Sequence, residues 1–264
     1  MLDPEKTTFV VITHGSRGHE YLVPWLEPLR QKGFPVTIIH KDKYPCWDAE
    51  CKGHTTQNVG KEEFGYASFI VDNYDSLKND YVFCHHDLLV HIWKHANPGP
   101  VDGKKLGRLW EKIATLENGR FGNFGNYFIA TDPKLKVGFP RPDEQSGMKR
   151  IVEIHNTLLH KERPCAFISC QGAHHLVSAE RIRSHSRDWW IDFMKLVVDM
   201  DTQTNQGFTR VNVGEIFCRL WEEIYIPREM AAIRGTMAFV ECRAWVEQNS
   251  DRLTQQGIEY MSEE

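Results

Sequence analysis

The chain opens with an unbroken β-branched and aromatic run, Thr8-Phe9-Val10-Val11-Ile12-Thr13, that stops at the polar turn His14-Gly15-Ser16-Arg17-Gly18. A continuous apolar run of this length fits a strand covered on both faces. From His19 to Lys32 the spacing becomes helical, with Leu22, Trp25, Leu26 and Leu29 on one face. Gly33 stands where a helix ends in a left-handed residue. Val36-Thr37-Ile38-Ile39 repeats the strand pattern and runs into His40-Lys41-Asp42-Lys43. A polar loop follows from Tyr44 to Gln57. Asn58 then opens a helix to about Tyr74, with Glu62 and Glu63 in the first turn, where the macrodipole favours acids. The third strand is Tyr81-Val82-Phe83-Cys84-His85. Strand and helix alternate through this half, which predicts an α/β fold: a mostly parallel Rossmann-type sheet flanked by helices. The ligand cleft of such a sheet lies at the strand carboxyl ends, here lined by residues 14–19, 40–43 and 85–91.

The second half is less regular. Asp102 is placed to cap a helix through about Glu117, and a glycine-aromatic loop, Gly119 to Asn126, precedes a strand at Tyr127 to Ala130. Pro133, Pro140 and Pro142 mark an irregular connection before a helix over Lys149–Leu159. Ala166 to Cys170 reads as a buried strand that continues through Gln171–His175 to Leu176-Val177-Ser178. Helices over 186–200 and 213–225 and a helical tail, 229–260, complete the pattern. No repeat or linker interrupts it, so one domain spanning 1–264 is expected.

Composition narrows the partners. The 264 residues are 41% hydrophobic and 26% charged, with a net charge of −4, which offers no basic stripe for nucleic acid. No run of 18 apolar residues predicts a transmembrane span, and the first residues lack the pattern of a signal peptide. Seven cysteines, with Cys84, Cys165, Cys170 and Cys218 in apolar surroundings, read as small buried hydrophobes in a reducing compartment. The expectation is a soluble cytoplasmic protein. Cys46 and Cys51 with His54 make half a zinc site, and no second pair lies in register to complete it.

The richest chemistry follows the third strand, in His85-His86-Asp87, with His91 and His95 beyond at helical spacing. A carboxylate there suits a divalent cation or a sugar-phosphate donor. The same residues also read as ordinary strand-end histidines and a helix-capping aspartate, and no fixed ligand spacing decides between the two. Alternation along a strand turns His86 into the sheet if His85 and Asp87 face the cleft.

Three blocks carry a resemblance. Asn58-Val59-Gly60-Lys61-Glu62 with Tyr66 and Ile70–Leu77, then Gly172–Arg183, then Glu215–Trp221, resemble a family known only as a domain of unknown function. The likeness covers roughly residues 8–225. The family's arrangement is in turn similar to GT-A glycosyltransferases, with one departure: His85-x-Asp87 stands where an Asp-x-Asp pair is expected.

The resemblance implies transfer of a sugar from a nucleotide-diphospho-sugar, UDP-linked in the simplest case, to a glycan or glycoprotein acceptor. It implies a donor half at 1–95, an acceptor half at 96–228 and a helical tail at 229–264. A large DNA virus glycosylating its own capsid in the host cytoplasm is one expected setting. Such transfer needs the diphosphate neutralised. Asp87 is the expected cation ligand, with His85 as a second; one imidazole among oxygens suits Mn²⁺. His14, Arg17, Gly18, Asp42, Asn58, Lys61 and Asp87 are the expected donor contacts.

Glu215 is the expected base, and it also fits the N3 position of a capping box after Asn212. His174 and His175 are alternative bases, or satisfied buried histidines. Trp189 and Trp221 fall on apolar helix faces and read as core. Two other functions remain open on these residues: a His/Asp metal-dependent hydrolase built on His85, His86, Asp87, His91 and His95, and a non-catalytic nucleotide- or glycan-binding module.

Overall fold

A computed structural model of the chain describes residues 2–13, 18–41, 54–55, 59–89, 103–116, 118, 122–123, 127–130, 158, 167–170, 173–205, 214, 217 and 220–225. The chain divides into two compact units, residues 1–125 with 173–198, and residues 126–172 with 199–264.

The first unit is an α/β sheet protein. Its elements are β1 (Thr7–Thr13), α1 (Gly18–Gln31), β2 (Val36–His40), β3 (His54–Thr55), α2 (Lys61–Asn73) with a 3₁₀ turn at Tyr74–Ser76, β4 (Asp80–His85), α3 (Gly103–Thr115) and β5 (Gly122–Asn123). After the chain returns from the second unit come β8 (His175–Ser178), α4 (Ala179–Ile182) and the start of α5 (Arg187–Asn205). The strands are ordered β3-β2-β1-β4-β8-β5. β3, β2, β1 and β4 run parallel, β8 is antiparallel to β4, and β5 is antiparallel to β8. The three expected strands and the helices between them are present, with ends shifted by up to three residues. β3 lies in what reads as a polar loop, and β5 in the glycine-aromatic loop. Both are two-residue strands, too short for any periodicity to register.

In the second unit, β6 (Tyr127–Ala130) pairs antiparallel with β7 (Phe167–Cys170), and α6 spans Trp221–Tyr225. The run from Ala166 to Ser178 is therefore two strands in different sheets, where the sequence reads as one continuous strand. Apolar patterning records that a segment is extended and buried, and it carries no information about which neighbour it pairs with. The expected helices over 149–159, apart from Leu158, and over 229–260 lie outside the described residues.

Alternation splits the sheet's side chains between two layers. On one face Phe9, Val11, Ile38, Val82, Cys84 and Leu176 pack with Trp25, Leu26 and Leu29 of α1 and Leu109 and Ile113 of α3. On the other, Phe83 meets Tyr66 and Phe69 of α2 at ring-centroid distances of 5.0 and 6.0 Å. Close approach of α2 needs a glycine: a Cβ on Gly65 would lie 2.4 Å from Ile12 Cδ1. Gly33, at φ +83°, ends α1 in the left-handed conformation its position predicts. Among the described residues no helix is long and apolar enough to cross a membrane.

Candidate functional site

The parallel strands end together. β1 stops at Thr13 opposite His40, the end of β2, and Ile12 lies opposite His85, the end of β4. The antiparallel β8 begins at His175, opposite Phe83. One edge of the sheet thus gathers His40, Lys41, His85, His86, Asp87, His174 and His175, at the place where open α/β sheets bind ligands.

The tip of β4 is pinned through its backbone. The His86 N–H donates to the Ile12 carbonyl at 2.9 Å, and the buried Trp25 indole N–H of α1 donates to the His86 carbonyl at 3.0 Å. His86 is buried, as alternation requires. His85 and Asp87 keep 13% and 26% of their side-chain surface exposed, and His85 Nδ1 is hydrogen-bonded to Asp87 Oδ1. An ionised carboxylate only accepts, so Nδ1 carries the proton in this pair. Cys84, next in line, is buried and free, with its thiol pKa pushed up first by burial and then by the Asp87 charge.

The two histidines of β8 differ in their surroundings. His175 has no exposed surface and lies 5.5 Å from the Phe83 ring and 5.7 Å, edge-on, from the Tyr66 ring. Burial lowers its pKa to about 3, so it is a neutral member of the core at physiological pH. His174 is equally buried, and its Nδ1 accepts the His85 backbone N–H at 3.1 Å.

A second polar group at this edge is not among the sequence candidates. Lys41, wholly buried just past β2, donates from Nζ to the Val59 carbonyl at 2.6 Å and to the Lys61 carbonyl. Those carbonyls flank Gly60, and both Gly60 (φ +61°) and Lys61 (φ +50°) are left-handed. One turn on, Glu63 is wholly buried, and among the described residues neither carboxylate oxygen has a hydrogen-bond partner. Burial, and then the charge of Glu62, push its pKa well above the usual carboxylate range, against the opposing pull of Lys41 and Lys61. Helical spacing could have flagged it: Glu63, Tyr66 and Ile70 are at i, i+3 and i+7, and all three are buried.

Of the other sequence candidates, Gly18 is the first residue of α1, and Lys61 is exposed at the start of α2. His14, Arg17, Asp42, Asn58 and Glu215 lie outside the described residues, as do His91, His95, Cys46 and Cys51. Trp221 is buried and stacks on Tyr225 at 5.4 Å, while Trp189 is half-buried and stacks on His185 at 3.9 Å. Among the described residues no three His, Cys, Asp or Glu side chains gather to hold a metal.

An open, mostly parallel sheet makes this an α/β protein, and an imidazole–carboxylate pair stands at its carboxyl edge. The chain belongs to the family described as "Protein of unknown function (DUF3431)", whose family model matches residues 19–244. No curated protein and no solved structure matches it.

Proposed function

We propose that the protein is a GT-A-like glycosyltransferase that takes a sugar from a nucleotide-diphospho-sugar, a UDP-sugar in the simplest case, and passes it to a glycan or glycoprotein acceptor. The observation that carries this reading is the His85–Asp87 pair at the carboxyl tip of β4, partly exposed on the edge where a diphosphate would lie. A carboxylate and an imidazole in contact are two of the donors that a Mn²⁺ ion accepts, and diphosphate oxygens are of the kind that complete its set. Such an ion, when bound, neutralises charge that builds on the leaving diphosphate.

The chain's own residues have simpler tasks in this reading. Asp87 orients the His85 ring through Nδ1. The two backbone bonds at His86 hold the tip of β4 against the sheet and α1. Lys61, at the exposed start of α2, and Arg17 offer positive charge to the phosphates, and Glu215 takes the proton of the acceptor hydroxyl. The cytoplasm is the proposed location.

A thermal-shift series of nucleotide sugars with and without Mn²⁺ tests the proposal. A ligand at ~100 times its dissociation constant stabilises by about 2.7 kcal/mol, a clear rise in Tm. The expected outcome is a Mn²⁺-dependent rise with one nucleotide sugar, lost in the nearly isosteric Asp87→Asn variant. If no nucleotide or nucleotide sugar shifts the wild-type protein under either condition, the transferase reading is wrong.

A further inference from the structure

The ladder between β4 and β8 breaks off in an unusual way. Along β4 the even-numbered N–H groups point to β1, since Asp80 donates to Lys6 and His86 to Ile12, both at 2.9 Å. The odd-numbered ones, His85 included, therefore point to β8. The register pairs Asp80 with Ser178 and Phe83 with His175, so two residues farther on it sets His85 opposite Ala173. The Ala173 carbonyl is the expected acceptor for the His85 amide. It is instead turned to the Tyr66 hydroxyl of α2, which donates to it at 2.9 Å. The His85 amide is met by a side chain, His174 Nδ1, at 3.1 Å.

A backbone N–H only donates, so Nδ1 of His174 must present its lone pair and the ring proton must sit on Nε2. A particular tautomer of a buried imidazole thus replaces the last rung of the sheet at the residue whose side chain pairs with Asp87. From this geometry we infer that His174 is a positioning residue: as the Nε2–H tautomer it fixes the backbone of His85, and through it the His85–Asp87 pair. It makes no contact with the reacting atoms in this role. Its importance for donor binding rests on the transferase reading above; the positioning itself does not.

Asparagine and glutamine separate this role from simple packing. The amide oxygen of asparagine falls near the place of Nδ1, whereas that of glutamine falls near Nε2 and leucine offers no acceptor. Three readouts are made on the full chain: long-range ¹⁵N spectra of the imidazoles, hydrogen exchange of the His85 amide, and calorimetric titration with uridine diphosphate and Mn²⁺. The wild-type His174 ring is expected to show the Nε2–H pattern. Protection of the His85 amide should fall at least tenfold in His174→Leu and His174→Gln and be recovered in His174→Asn. Affinity for uridine diphosphate should follow the same order.

A wild-type His174 protonated at Nδ1, or a His85 amide equally protected in all three variants, overturns the inference even if a variant is too unstable for titration. If exchange follows the expected order while uridine diphosphate binds no form of the protein, positioning stands and the transferase reading fails. If the wild type binds and His174→Leu binds equally well, the positioning role for that site is wrong.

Discussion

Two buried ionisable residues oppose each other across the pH scale. Glu63 has its folded pKa raised by burial from an ordinary 4.5. Above about 4.5 the unfolded chain gives up this proton and the folded one keeps it, so stability falls as pH rises toward the folded value. His175 has its folded pKa lowered by burial from 6.5 to about 3. Below 6.5 the unfolded chain takes up a proton that the folded one refuses, so stability falls as pH drops toward 3. Between about 4.5 and 6.5 the two proton differences oppose each other, and below about 4.5 that of His175 acts alone, with a slope approaching about 1.4 kcal/mol per pH unit. Glu63→Gln, which keeps shape and removes the charge, should raise Tm at about pH 8 and remove the Glu63 share of the fall in stability above about pH 4.5, with little change near pH 4. His175→Phe, in a cage of Phe83 and Tyr66, should flatten the acid limb and leave the profile above about pH 6.5 as it is. Urea denaturation across pH checks both, and an unchanged pH profile in either variant contradicts the corresponding assignment.

At the scale of elements, the placement of α2 depends on two glycines that serve different contacts. Gly65 lets the helix lie on Ile12 of β1, and Gly60 brings its first turn against α5. A Cβ on Gly60 would sit 2.2 Å from Val197 Cγ1, in a residue held at φ +61°. Both faults add in Gly60→Ala. The left-handed backbone costs an L-residue about 1–2 kcal/mol, and overpacking costs about 1–3 kcal/mol more. A loss of roughly 2–5 kcal/mol is expected. Shortening the partner in Gly60→Ala/Val197→Ala should recover the packing share and leave the backbone share. A double-mutant cycle with no coupling between the two sites would show that α2 and α5 do not meet through this glycine.

Two of the places where residues far apart in sequence meet in the first unit involve α2. One is the tip of β4, where Tyr66, His85 and the Ala173–His174 pair close the end of the β4–β8 ladder. The other is the far end of α2. There Arg183 donates to the Tyr74 and Leu77 carbonyls, the Tyr74 hydroxyl donates to the His185 carbonyl at 2.7 Å, and Arg187 Nε donates to the Val71 carbonyl at 3.1 Å. The Ile70–Leu77 block and Arg183, at the end of the second block, are thus parts of one clasp that ties α2 to the segment after β8. Ser178 opens that segment as an N-cap, accepting the Arg181 N–H at 3.2 Å.

Apolar runs and helical spacing were enough to locate β1, α1, β2, α2 and β4, because each is long enough for its period to show and each buries a continuous face. The same patterns gave the carboxyl edge of the sheet and Asp87 at its lip, since alternating strands and helices leave little choice of where strand ends fall. Pairing was beyond their reach: the split of residues 166–178 into β7 and β8 depends on the partners of β7, about 40 residues away in the chain, and of β8, more than 90 residues away in β4. So do the two features that most shape the candidate site. Glu63 looks like an ordinary first-turn acid until the packing of α2 on the sheet buries it. His174 looks like a free candidate base until β8 docks on β4 and its ring takes up the His85 amide. Local sequence sets which elements form, through the period of their side chains; only the folded chain decides which polar groups lose water and which partner each then meets.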